Sequence, residues 1–144
     1  MAVTALMYGL SISSAFSKKI DWAGDSIKVM LLTSTYTPNQ DTHQYKSDLT
    51  GEVTGTGYTA GGVALANKTM PYNSATNQLS RKADNVQWAN STITARYAVV
   101  YDDTGTAGTS PLIGYVDFGA NQSSSAGTFE IVWNAAGIFQ ATVA

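Results

Sequence analysis

The sequence contains no cysteine. Disulfides, thiolate nucleophiles and cysteine metal sites are therefore excluded. Histidine occurs once, at His43, so no site built on paired imidazoles is available. Charged residues make up only 12% of the 144 positions, about half the usual share. The net charge is −2, and the only basic clusters are Lys18-Lys19 and Arg81-Lys82. Nothing there would neutralise several phosphates, so nucleic acid is not an expected partner. No apolar run approaches the roughly 18 residues that cross a bilayer, so no membrane association is expected. The N-terminus lacks a basic stretch followed by an apolar one, and no secretory signal is expected.

What is present is an ordinary apolar share, 44%, which argues against disorder. Thr, Ser, Asn, Gly and Ala fill the positions that charge would normally take. That composition suits β-structure with many turns, and a protein that sits against neighbours rather than relying on charge for solubility. The length fits one domain with its own core.

The most strongly patterned stretch is Thr92 to Gly119. Ile93 to Tyr101 is β-branched or aromatic at most positions. Strict alternation puts Ile93, Ala95, Tyr97, Val99 and Tyr101 on one face and Thr94, Arg96, Ala98 and Val100 on the other. Both faces become apolar towards the end, which predicts a central strand covered on both sides. The segment Asp102 to Pro111 is rich in turn formers, and Leu112 to Phe118 is apolar apart from Asp117.

Around this pair, residues 1–19 read as a short helix or an extended arm, and residues 20–144 as a single β-domain. Leu6, Leu10 and Ser13 or Ser14 have helical spacing, but Gly9 and the serines weaken it. Ile27 to Leu32 is a strand. Thr33 to Gly62 loses all pattern, apart from a helical turn expected within Asp41 to Leu49, and is long enough to suggest a functional or partner-bound loop. Further strands are expected over Val63 to Met70, Leu79 to Trp88, Thr128 to Trp133 and Ile138 to Val143. Turns are expected at Ala89 to Ser91 and Asn134 to Gly137, with loops at Pro71 to Gln78 and Gly119 to Gly127. Seven to eight strands at this spacing predict an all-β antiparallel sandwich, or a small barrel.

The candidate chemistry is thin. Asp103-Thr104-Gly105 matches an aspartic-protease motif, but Leu112-Ile113-Gly114 follows too soon to be the partner element, and a hairpin turn explains it. Gly55, Gly57, Gly61 and Gly62 lack the Lys-Ser/Thr of a phosphate loop; close backbone approach is the better account. His43 has Asp41 and Asp48 nearby in sequence, but the spacing defines no metal site. A catalytic triad would need the same histidine, with no nucleophile elbow to support it. Trp22, Trp88 and Trp133 could form a sugar-stacking face, although their place on strands favours core packing. Arg96, alone on an apolar strand, is expected to pair with Asp117 or with a neighbouring subunit. No catalytic, cofactor or metal residue is assigned.

Three stretches taken together, KIDWAGDSIKVMLLTSTYTPNQDTH, GEVTGTGYTAGG and ITARYAVVYDDTGTAGTSPLIGYVDFG, resemble a family of small structural proteins of tailed bacteriophages. These are head decoration or cement proteins, sometimes described only as minor structural proteins. The resemblance runs from about Lys19 to Trp133 and carries no active-site residue. It implies a β-sandwich, jelly-roll-like, made in the bacterial cytoplasm and placed on the outer capsid surface of the virion. There it would bind the major capsid protein, as a trimer, and cement the head. The expected contact elements are residues 1–19, with Leu6, Tyr8, Leu10 and Phe16, and the loop 33–62, with Tyr36, His43, Tyr45 and Tyr58; Arg96 is a further candidate. Removing residues 2–17 is expected to abolish shell binding and leave the fold intact. The alternatives are a tail or baseplate component, or a carbohydrate-binding adhesive module.

Overall fold

The computed structural model describes residues 3–143. Among them the chain forms β1 (Thr4–Met7), α1 (Leu10–Phe16), β2 (Ile27–Leu32), β3 (Val63–Ala64), β4 (Tyr72–Asn73), β5 (Gln78–Arg81), β6 (Val86–Asp102), β7 (Leu112–Ile131) and β8 (Phe139–Thr142). The strands make a five-stranded sheet in the order β1-β7-β6-β2-β3 and a three-stranded sheet in the order β4-β5-β8. All pairings are antiparallel. The expected all-β sandwich is what the chain adopts.

The central pair is longer than its sequence suggests. β6 runs through the expected turn at Ala89 to Ser91, and β7 runs through the expected loop at Gly119 to Gly127. The Ser, Asn and Gln side chains of that stretch are mostly exposed, which reads as loop, while the backbone pairs with β6, as in Thr94↔Ser123 and Ala95↔Gln122. The turn signals survive as irregularities. Asn90 has φ 50°, and the register shifts between Trp88 and Ser91.

A larger shift falls between Ala95 and Tyr97, where Ala95 faces Gln122 but Tyr97 faces Asp117. Such a bulge exchanges the two faces of a strand. Ile93 and Ala95 therefore share a core with Ala98 and Val100, while Tyr97, Val99 and Tyr101 turn to the other side. This corrects the strict alternation. The first face meets β2 through Val29 and Leu31, and Phe129, Ile138, Phe139 and Trp88 complete the main core.

The second face holds Met30, Leu32, Val99, Tyr101, Leu112 and Tyr115 and is capped by Tyr8 and Tyr36. This explains the patternless segment 33–62. It wraps the edge of β2 and covers the back of the sheet, held by Val53 N–H donating to the Leu31 carbonyl at 3.0 Å and by Tyr101 Oη donating to the Gly61 carbonyl at 2.7 Å. Its glycines allow contact between backbones. At Gly62, with φ +78°, a Cβ would run into the Val29 carbonyl, and at Gly57 it would run into Asn90 and Ser91.

Two other strands are shorter than expected. Val63 to Met70 keeps only Val63–Ala64 as strand, because Asn67 turns away with φ 52°. Leu79 to Trp88 is split between the two sheets, with Lys82 to Asn85 crossing from one to the other.

Candidate docking surface

The N-terminal segment holds the expected short helix, but the extended stretch before it belongs to the domain's own sheet rather than leaving the domain for a partner. It is a strand pairing with β7 through Thr4↔Asp117 to Met7↔Gly114, then a seven-residue helix. It is not a detachable arm. Tyr8 is fully buried, and its N–H donates to the Ile113 carbonyl at 3.1 Å. Removing residues 2–17 would open the second core, which corrects the expectation that the fold survives the truncation.

Helix α1 is inverted relative to a normal surface helix. Ser11 and Ser14 point inward and are buried, and neither hydroxyl has a protein partner. Ile12 and Phe16, one turn apart, point outward, 53% and 87% exposed. Burying two unpartnered hydroxyls while leaving a phenyl ring in water is unfavourable on both counts. Nearby on β1, Leu6 is 37% exposed and Val3, just before the strand, is 65% exposed. No charged side chain lies between Val3 and Ser17. The exposed side chains of β1 and α1 are thus uncharged and partly apolar, with Asp117 and Arg81 packed against β1. Beside it, a groove of about 500 Å³ is lined by Ala5 to Met7 and by Asn134 with Ala136 to Gln140. Sequence reading had named Leu6 and Phe16. It missed Ile12, and periodicity alone does not show that Ser11 and Ser14 face inward while Ser13 stays exposed.

The other candidate contacts fall into three groups. Tyr8 and Tyr36 are core residues, not surface ones, which corrects their assignment as contacts. Their hydroxyls share a hydrogen bond of 2.7 Å, and Tyr36 Oη bonds His43 Nδ1 at 2.8 Å. Burial pushes the Tyr36 hydroxyl up to about 12, and it pushes Tyr8 up further. Leu10, His43, Tyr45 and Tyr58 are half-buried. Tyr58 Oη donates to Glu52 at 2.9 Å and accepts from the Leu31 N–H at 3.1 Å, so it braces the loop. Lys19 Nζ donates to Tyr45 Oη at 2.7 Å. Arg96 sits in the bulge and pairs with Asp117 at 2.8 Å, as expected, but both side chains remain partly exposed.

The remaining motifs are used structurally. Asp103 forms an ion pair with Lys28 at 2.6 Å and accepts the Gly105 N–H at 3.0 Å, so Asp-Thr-Gly is a turn. Trp22 and Trp88 are buried and Trp133 is half-buried. Among the described residues no three His, Asp or Glu side chains gather as a metal site, and no helix is long and apolar enough to cross a membrane. Comparison with protein-family models, curated proteins and solved structures finds no match in any of the three. The resemblance to phage decoration proteins therefore rests on the sequence motifs alone.

Proposed function

We propose that this chain is a non-enzymatic structural protein of a tailed-phage virion, which binds the outer capsid surface and cements the head. The observation that carries the reading is the inverted helix α1. A helix that hides serines and exposes Ile12 and Phe16 is arranged for a partner, and it lies beside an uncharged edge strand. A protein that binds the assembled shell but not its free subunits stabilises the shell by mass action. Trimers bridging several capsid subunits would multiply a modest contact through effective concentration. The buried tryptophans weaken the sugar-binding alternative.

The test is to mix the purified protein with empty heads, and separately with tails, of a tailed phage that encodes it, and to sediment each mixture. Saturable binding to heads, lost in the double variant Ile12→Ser/Phe16→Ser, is expected. Binding to tails alone would make it a tail component, and binding to neither would overturn the virion reading.

A further inference from the structure

Asp102 ends β6 opposite Ile27 and is 2% exposed. It meets the turn Asp21 to Asp25, which joins α1 to β2. That turn is wound by its own hydrogen bonds. Asp25 N–H donates to the Asp21 carbonyl at 2.9 Å, and the Ala23 and Gly24 N–H groups donate to Asp21 Oδ1 at 3.2 and 3.0 Å. The Asp21 N–H faces two carboxyl groups at once. It lies 3.0 Å from Asp25 Oδ2 and 3.3 Å from Asp102 Oδ2.

One amide proton does not balance two anions side by side. The cations around them are otherwise engaged. Lys68, from the segment after β3, donates its Nζ to the Asp25 carbonyl, and Lys28, on β2, is held by Asp103 from the hairpin loop. Neither forms an ion pair with Asp102, and the Asp21 carboxylate adds a further negative charge nearby. The economical arrangement is a carboxylic acid donating to a carboxylate.

We propose that the buried Asp102 carboxyl keeps a proton that it donates to Asp25, and that this hydrogen bond is a latch fastening the Asp21 to Asp25 turn to the end of β6. Burial, then the hydrogen bond and negative charge of Asp25, push the Asp102 carboxyl up to about 7, against the Asp21 amide and Lys68. The latch is closed in mildly acidic solution and opens above neutrality, when a charged Asp102, buried from solvent, faces the exposed Asp25. The turn carries Trp22, whose indole N–H donates to the Thr69 carbonyl at 3.0 Å and whose ring lies in the main core. Opening the latch therefore loosens the connection between α1 and the sheet. The device does not depend on what the outer face of α1 binds.

The test is a carboxyl-carbon NMR titration of the full chain from pH 4 to 9, following the Asp21 amide and the Trp22 indole signals. The Asp102 carboxyl should lose its proton with a midpoint near 7. The Asp21 and Trp22 signals should move with the same midpoint, and Asp21 amide exchange should quicken above it. Asp102→Asn should keep the Trp22 signal at pH 8.5 where the wild type has it at pH 5. Should that variant not fold, Asp25→Asn removes the second charge and should lower the Asp102 midpoint. An Asp102 carboxyl titrating below pH 5, or a Trp22 signal unmoved through the titration, would overturn the latch.

Discussion

Tyr8 and Tyr36 show how much a single hydroxyl can hold when it is buried. Each satisfies the other at 2.7 Å, and Tyr36 reaches the half-buried His43. Tyr36→Phe leaves the Tyr8 hydroxyl without its partner, which costs about 1–3 kcal/mol. A Tm drop of about 2–4 °C for each kcal/mol is expected by calorimetry. The double variant Tyr8→Phe/Tyr36→Phe should lose less than the sum of the two single variants, because no orphaned hydroxyl remains in that pair. Equal additivity would mean that the hydrogen bond contributes nothing. Gly62 is constrained by geometry instead. With φ +78° and the Val29 carbonyl in the path of a Cβ, Gly62→Ala should cost about 3–5 kcal/mol, read as a shift in the urea midpoint. From sequence, Gly62 was legible as a site of close approach, but Tyr36 looked like a surface contact because it sits in a stretch without periodicity, and Tyr8 because it sits in a segment read as a helix or arm outside the core.

The elements that sequence made legible are those whose side chains follow one rule along their whole length. β2, Ile27–Leu32, is an apolar run bounded by turns and appears as expected. β6 and β7 break the rule halfway, because one bulge between Ala95 and Tyr97 exchanges their faces. No local signal marks that bulge, since Arg96 reads equally well as an outward strand residue. The stretch Gly119 to Gly127 reads as loop because its strand character lies in backbone pairing rather than in side-chain type. Helix α1 is present as expected, but which of its faces is buried was not legible. Its spacing is helical, yet the polar side is the buried one. Two outcomes follow from that inversion. Ser14→Ala removes a buried hydroxyl that has no protein partner and should raise Tm by about 2 °C or more. Ile12→Ser/Phe16→Ser should leave stability within roughly 0.5 kcal/mol, since both side chains are exposed. A large loss in the second variant would show that these residues pack within the fold and are not presented to a partner.

At the scale of the whole molecule, carboxylates of opposite character set the pH at which the sandwich is most stable. Asp103 is lowered by the Lys28 hydrogen bond and Asp117 by that of Arg96. Asp48 is lowered by the Tyr45 and Gln44 amides and by His43, which outweigh its desolvation. Groups held low in the folded state contribute stability above the ordinary carboxylate range and lose it as pH falls through their folded values. Asp102 has the opposite sign. Raised to about 7, it contributes most below the ordinary 3.8 and loses its contribution as pH rises through 7. The two effects cross, so Tm should be highest between about pH 4 and 5 and fall on both sides. The buried tyrosines, all held above 10, add a second alkaline fall only beyond that pH. Calorimetric scans from pH 3 to 9 separate the contributions. Asp102→Asn should remove the decline between pH 5 and 8, raising Tm at pH 8 by about 3 °C or more, and leave the acid limb in place. A wild-type Tm that climbs steadily from pH 5 to 8 would mean that Asp102 is ionised in the folded protein, its charge met by a cation such as Lys68, which already lowers it.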